Sequence, residues 1–299
     1  MIDKFLVKES LGIDIDDYML SLRFITLSQA TDRDSISYII GKQYLPVLKK
    51  NSLINVVFSV PDLVEDVKAI GKTPIEVSDP IYFFYALHNL IVENKSKKAK
   101  KTIIHPRARI HTSAYISEHD VEIDEDVCVM PNATILSGVT LSKGALIGSN
   151  SVIGSDGYEV KNTSMGIVNV AHDGYVFIGE NVVVGANCCI DKGLFGMDTV
   201  IGNCVRLSNL VQVAHGVKIG SNTLIAGNAL IGGGACVGKN VRVGPKALIS
   251  NGIKVGDNVR VSLGAVVVKN VSQDEHVTGY FAVNHVEYLK DHAQRFYCE

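Results

Sequence analysis

The chain has 299 residues, 46% of them hydrophobic, and a formal net charge of -2 at pH 7; this length predicts more than one domain. The nearly balanced charge gives no electrostatic reason to expect a nucleic acid or an acidic membrane as partner. No apolar run reaches the roughly eighteen residues of a membrane span, and the first residues lack an apolar signal core. We therefore expect a cytoplasmic protein with no membrane span and no nucleic-acid partner.

The first 98 residues lack the periodicity that dominates the rest of the chain. Residues 54–60 are typical of a buried strand, and 79–94 of a helix with a thick apolar face. Asp79 suits the cap of that helix and Pro80 its first turn. We predict a small nucleotide-binding α/β domain over 1–98, which ends in a lysine-rich linker at 95–101.

An aliphatic residue returns at every sixth position from Ile201 to Val267. This period fits neither an amphipathic helix nor a hairpin array, and it is typical of a solenoid built from short strands and corners. Glycine often follows the aliphatic residue, and we attribute it to the corner that the chain turns there. These glycines are at 202, 220, 232, 238, 244 and 256.

The same period begins at Ile104 and has two long interruptions, at 154–177 and 191–200. Loops that interrupt a solenoid without ending it tend to cover a binding face. We predict a β-helix over 99–271 and a C-terminal helical cap over 272–299. The cap would be one amphipathic helix at 282–296 that covers the open strand edge.

Three motifs carry a family resemblance: IGSDGY (153–158), GANCCIDKG (185–193) and QVAHGVKIG (212–220). They stand in the order and spacing of the hexapeptide-repeat acyltransferases, and the chain resembles in particular the UDP-3-O-acylglucosamine N-acyltransferases. The resemblance implies a left-handed parallel β-helix with three hexamers per coil. Residues eighteen apart then lie about 4.8 Å above one another.

The resemblance implies an enzyme that moves an acyl group from an acyl carrier protein or CoA thioester to a nucleotide-linked (UDP or dTDP) amino sugar. The pathway would be lipid A or another surface polysaccharide, such as O-antigen. No permanently bound cofactor is expected, and six cysteines without CxxC spacing favour no metal site. The family also implies a homotrimer, with the two insertions reaching the neighbouring subunit.

Two alternatives stay open. One is an acetyl-CoA-dependent sugar O- or N-acetyltransferase, and the other is a non-catalytic β-helix binding protein. Retention of the candidate catalytic residues argues against the binding protein, and loss of some neighbouring polar residues argues for it.

His215 is the candidate general base. It follows Val213 by two residues, which places it at a corner, and Gly233 lies eighteen residues further on, one coil above. Amide acyl transfer needs a base to take the amine proton and donors for the developing oxyanion. An imidazole and a glycine amide about one coil apart meet these needs. The family's catalytic histidine and oxyanion glycine fall on the same two positions.

The resemblance also implies substrate contacts. Tyr38 and Tyr44 match the two aromatics that hold the uracil ring in the family. Three further residues lie in matched segments and are expected to contact the sugar or diphosphate: Asp156, Lys192 and Asn209. His172, inside the first insertion, is a candidate replacement for a missing polar group.

The chain departs from the family at several positions. Ser208 stands in place of an aspartate, Gly216 of an asparagine, and Gly252 of a second active-site histidine. Val266 and Val268 stand in place of the methionines that close a long acyl groove. This last difference favours a short acyl donor, for example a hydroxyacyl group, because each methylene buried contributes about 0.8 kcal/mol.

Overall fold

The computed structural model describes residues 3–27, 32–94, 99–279, 282 and 284–290. Its N-terminal part is an α/β layer whose parallel strands lie in chain order. The strands are β1 (Arg23–Phe24), β2 (Ser35–Tyr38), β3 (Ile54–Ser59) and β4 (Thr73–Glu76). The helices are α1 (Lys4–Leu11), α2 (Leu45–Lys50), α3 (Val64–Ala69) and α4 (Pro80–Asn94), and 3₁₀ turns cover Asp17–Ser21, Lys42–Tyr44 and Pro61–Leu63.

Helix α4 begins as the sequence predicts. The carboxylate of Asp79 accepts a hydrogen bond from the backbone N–H of Tyr82 at 3.0 Å, which satisfies one of the unpaired donors in the first turn. Phe84, Tyr85 and Leu87 are fully buried and belong to the core that α4 shares with the sheet.

The rest of the chain winds into a parallel coil with three flat faces, which confirms the predicted left-handed β-helix. The first face contains Ile103–Ile104, Val121–Ile123, Val139–Leu141, Val176–Ile178, Thr199–Ile201, Lys218–Ile219, Cys236–Val237 and Lys254–Val255. The second contains Arg109–Ile110, Cys128–Val129, Leu146–Ile147, Val183–Val184, Arg206–Leu207, Leu224–Ile225, Arg242–Val243, Arg260–Val261 and His276–Val277. The third contains Tyr115–Ile116, Thr134–Ile135, Val152–Ser155, Cys189–Asp191, Gln212–Val213, Leu230–Ile231, Leu248–Ile249 and Val266–Val267.

The aliphatic period forms the core of the coil. Val213 pairs with Ile231 in the next coil and with Ile190 in the previous one, and all three side chains are fully buried. Each coil therefore stacks its aliphatic side chains on the equivalent side chains of the next coil. The insertions lie between strands, where they leave this stacked core intact.

The corner residues differ from the sequence-based expectation. A positive φ, between 57° and 69°, recurs every six residues at Cys204, Leu210, Gly216, Asn222, Asn228, Gly234, Asn240, Lys246, Gly252, Asn258 and Gly264. Glycine and asparagine adopt this conformation at low cost. The glycine that often follows the aliphatic residue has another cause, since a Cβ at Gly220 would lie 2.6 Å from the carbonyl carbon of Gly238. Close stacking of coils, and not the turn itself, excludes a side chain there.

Both insertions pack on the N-terminal layer of their own chain, and their expected contact with a neighbouring subunit stays a prediction. The first forms an antiparallel hairpin, Val160–Thr163 with Gly166–Asn169, and Asn89 of α4 bonds the backbone of Asn169 and Ala171. The second supplies Phe195, whose ring lies 5.7 Å from that of Phe84. These contacts bring the N-terminal layer against the middle of the coil.

The coil extends beyond residue 271, the predicted end of the β-helix. His276–Val277 pairs with Arg260–Val261 on the second face. Residues 285–290 are helical, and the remainder of the terminal helix predicted at 282–296 lies largely outside the described residues. Among the described helices, none has the length and apolar character to cross a membrane.

Candidate active site

His215 lies in the turn after the strand Gln212–Val213 of the third face. Two hydrogen bonds fix this turn: the N–H of Gly216 donates to the Thr199 hydroxyl at 2.9 Å, and the N–H of Gly234 donates to the His215 carbonyl at 2.9 Å. Thr199 in turn donates to the carbonyl of Asp191 at 2.7 Å. The His215 side chain is only 19% exposed, so the insertions cover a corner that the repeat alone would leave open.

Gly233 lies directly beside the His215 imidazole, as the spacing of eighteen predicts. A Cβ at this position would lie 2.7 Å from both Nε2 and Cε1 of His215, so only glycine leaves room for the ring. Its N–H, however, already donates to Oδ1 of Asn251 at 2.9 Å. An oxyanion would therefore have to displace the Asn251 side chain from this amide.

Glu159, at the start of the hairpin, supplies a carboxylate that the sequence analysis missed. Its Oε2 lies 3.7 Å from Nε2 of His215, and its Oε1 lies 2.6 Å from Nζ of Lys161. No repeat or motif signals this role, because the insertion has no periodicity.

His172 is buried beside His215. The two rings are 5.4 Å apart at an interplanar angle of 72°, an edge-to-face arrangement. Nδ1 of His172 donates to the carbonyl of Val170 at 3.1 Å, which fixes the neutral tautomer, and Nε2 has no hydrogen-bond partner within the described structure. Burial lowers the pKa of His172 and the nearby His215 lowers it further.

Asp191 is a second carboxylate that the sequence analysis did not select. It accepts hydrogen bonds from the Ser155 hydroxyl at 2.7 Å and from Nε2 of Gln212 at 2.9 Å, and burial raises its pKa. A Cβ at Gly157 would lie 3.0 to 3.4 Å from His172, His215 and Asp191. Gly157 thus allows the three polar side chains to converge.

The electrostatic setting of His215 suits a base. Burial lowers its pKa below the ordinary value of 6.5, while the negative charges of Glu159 and Asp191 oppose that change. The imidazole is therefore neutral at pH 7 and free to accept a proton.

The remaining predicted residues are divided between the site, the coil and the N-terminal layer. Asp156 and Lys192 form an ion pair at 2.8 Å, and both charges act on His172. Asn209 accepts a hydrogen bond from the N–H of Ala186 at 2.8 Å, which makes it a link between coils.

Tyr38 and Tyr44 belong to the N-terminal layer. The Tyr38 ring packs 5.0 Å from Phe84 and 5.9 Å from Tyr85, and Tyr44 is 37% exposed. Nζ of Lys161 lies 5.3 Å above the Tyr85 ring, so this aromatic cluster borders the pair of Lys161 and Glu159. Among the described residues, no group of histidine, cysteine and acidic side chains is arranged to hold a metal ion.

Comparison with known proteins identifies the repeat. The family model described as bacterial transferase hexapeptide (six repeats) matches residues 198–233, and the hexapeptide repeat of succinyl-transferase matches 175–202 and 234–269. Together they cover most of the coil beyond the first insertion.

Short segments of the chain are similar to curated enzymes. UDP-3-O-acylglucosamine N-acyltransferase of Maricaulis maris is 44% identical over 55 residues, which are 18% of this chain and 16% of the relative. The enzyme of the same name from Caulobacter vibrioides is 48% identical over 46 residues, 15% of this chain and 13% of the relative. The chain thus matches less than a fifth of the length of either relative.

A solved structure of LpxA from Acinetobacter baumannii has 23% identity and a TM-score of 0.39, and the match covers 63% of this chain and 77% of that one. The repeats and the coil together confirm the predicted resemblance to the hexapeptide-repeat acyltransferases, and residues 175–269 carry the hexapeptide repeat of bacterial transferases.

Proposed function

We propose that the protein is an N-acyltransferase that moves an acyl group from a thioester to the amino group of a nucleotide-linked amino sugar. The observation that carries this proposal is the largely buried imidazole of His215, with Glu159 3.7 Å from its Nε2 and the side-chain-free Gly233 beside it. The similarity of short segments to enzymes named UDP-3-O-acylglucosamine N-acyltransferase supports the same chemistry.

In the proposed reaction the amine nitrogen attacks the thioester carbonyl while Nε2 of His215 takes its proton. The C–N bond forms, the C–S bond breaks, and the proton passes from the imidazolium to the departing thiolate. A general base of this kind typically contributes about 10²- to 10⁴-fold in rate. Between these two proton transfers, the carboxylate of Glu159 stabilises the imidazolium of His215.

The N-terminal layer would hold the nucleotide. Tyr38 and Tyr44 are the proposed base contacts, and Asp156 and Lys192 the proposed contacts of the sugar or diphosphate. Support comes from the path of contacts from Tyr38 through Tyr85 and Lys161 to the site. UDP and dTDP sugars are the substrates to compare.

We further propose that the acyl group is short and that the enzyme works as a homotrimer in the cytoplasm. Val266 and Val268, which stand in place of groove-closing methionines, are 64% and 63% exposed in the single chain. Fastest turnover with a fourteen-carbon carrier-protein thioester would defeat the short donor, and a stable monomer in sedimentation would defeat the trimer.

The central experiment supplies the purified protein with UDP- and dTDP-amino sugars and thioesters from acetyl to hydroxymyristoyl, on both CoA and carrier protein. Mass spectrometry then detects the N-acyl product. His215→Ala should lose about 10²- to 10⁴-fold in turnover, while His111→Ala, at an exposed coil position, serves as the matched control. Near-native turnover of His215→Ala at pH 7 would contradict the mechanism.

A further inference from the structure

We propose that Glu159 makes the site selective for an amine over a hydroxyl as the group that receives the acyl chain. This inference rests on the proposed function and specifies its reacting group. The selectivity would come from Nε2 of His215 and Oε2 of Glu159, which lie 3.7 Å apart; both are acceptors in the tautomer with the proton on Nδ1, which the proposed base requires.

The separation of these two acceptors fits one donor atom between them. A nitrogen placed about 2.9 Å from each makes two hydrogen bonds of ordinary length. A neutral primary amine has two N–H donors and one lone pair, so it can bond both acceptors and still direct its lone pair at a carbonyl. A hydroxyl has a single O–H and can satisfy only one of them.

The surroundings leave Oε2 of Glu159 available to accept a hydrogen bond from the second N–H of the amine. The other carboxylate oxygen, Oε1, is held by Lys161 at 2.6 Å, and Lys161 is itself fixed over the Tyr85 ring. The Glu159 side chain is only 20% exposed. When a substrate excludes the remaining water, an unpaired carboxylate oxygen becomes costly.

The reaction uses the two N–H groups differently. As the C–N bond forms and the C–S bond breaks, one amine proton passes to Nε2 of His215 and on to the thiolate. The second proton stays on nitrogen, becomes the N–H of the amide product, and remains hydrogen-bonded to Glu159. With a hydroxyl, its single proton goes to His215, and Oε2 then faces the lone pairs of the attacking oxygen. A site built to hydrogen-bond a donor discriminates strongly against the analogue that lacks it.

The test compares two nucleotide sugars that differ only in an amino or a hydroxyl group, with one acyl thioester. Wild type should prefer the amine by at least about 100-fold in kcat/KM. Glu159→Ala should slow transfer to both sugars, because the imidazolium loses its carboxylate, and should lose about 100-fold more on the amine than on the hydroxyl, so that the preference disappears. Glu159→Gln retains an acceptor oxygen, so its preference for the amine should fall between those of wild type and Glu159→Ala. The control is Glu180→Gln, at an exposed corner of the coil, and it should show the preference of wild type.

Calorimetric binding of the same two sugars separates this inference from the proposed reaction. Glu159-dependent preference for the amine in binding, without any acyl transfer, would support the inference and defeat the proposed reaction. An amine preference that is the same in wild type and in both Glu159 variants would overturn the inference while N-acyl transfer stands. Thermal melts of each variant confirm that the folded protein is being compared.

Discussion

The backbone N–H of Gly233 donates to Oδ1 of Asn251 at 2.9 Å, so the amide beside the His215 imidazole is already occupied. The same link between coils recurs where the N–H of Lys239 donates to Asp257 at 2.7 Å, after the first-face strand Cys236–Val237 and not on the third face with His215. These two links offer a direct test of whether the Gly233 amide binds the oxyanion.

We predict that Asn251→Ala raises kcat up to about fivefold, because one net hydrogen bond of about 1 kcal/mol no longer competes for the amide. Asp257→Ala also removes one hydrogen bond between coils, so it should lower the free energy of unfolding by about 1 kcal/mol without changing kcat. A loss of about 10²- to 10³-fold in Asn251→Ala would show instead that the Asn251 amide itself stabilises the oxyanion.

The pH profile should reflect the burial of His215. Since burial lowers its pKa below 6.5, the base stays deprotonated as the pH falls, and kcat/KM should decline only below pH 6.5. Glu159 raises this pKa, so Glu159→Gln should move the acidic limb to still lower pH. Asp191 and Lys161 also act on His215, with opposite signs, and both remain in that variant. An acidic limb at or above pH 7 in wild type would contradict the assignment of His215 as the base.

His172 should act by holding the His215 ring in place, through the edge-to-face contact at 5.4 Å. His172→Phe retains a ring at this position and should keep kcat within a few-fold of wild type. His172→Ala removes the contact and should lower kcat by about 10- to 100-fold with little change in KM, in keeping with the sensitivity of rate to small displacements. Equal kcat loss in both variants would indicate that the imidazole nitrogen, and not the ring, is what matters.

Tyr44 should contribute to nucleotide binding by stacking. Base–aromatic stacking is worth about 1–3 kcal/mol, so Tyr44→Ala should weaken binding of a UDP- or dTDP-sugar by roughly 5- to 150-fold. Tyr38→Ala should weaken binding to a similar extent and also destabilise the protein, because its ring packs on Phe84 and Tyr85. Tyr115→Ala, at an exposed coil position, is the control. Titration curves identical to wild type would exclude the stacking role.

The period of six predicted the coil correctly because the aliphatic side chain at every sixth position has one place to be buried, against its equivalent in the next coil. The family resemblance supplied the three hexamers per coil, and so the spacing of eighteen that puts Gly233 beside His215. The reason for the recurring glycines was wrong, since positive φ falls two residues after each glycine. The sequence shows that these positions lack a side chain. Only the stacked coils show that the backbone of the next coil is what excludes one.

The sequence could not predict the polar groups around His215. Asp191 ends the third-face strand Cys189–Asp191, so its place follows from the coil. Glu159 and Gly157 lie within the first insertion, which has no period to fix their position. Their place is decided by contacts distant in sequence, such as those of Asn89 with Asn169 and Ala171. The hexapeptide repeat by itself therefore determined the coil, and the family resemblance added His215 as the candidate base. The docking of the insertions on the N-terminal layer decided that Glu159 and His172 lie beside that base, because side chains without a repeating register are positioned only by the surfaces that they pack against.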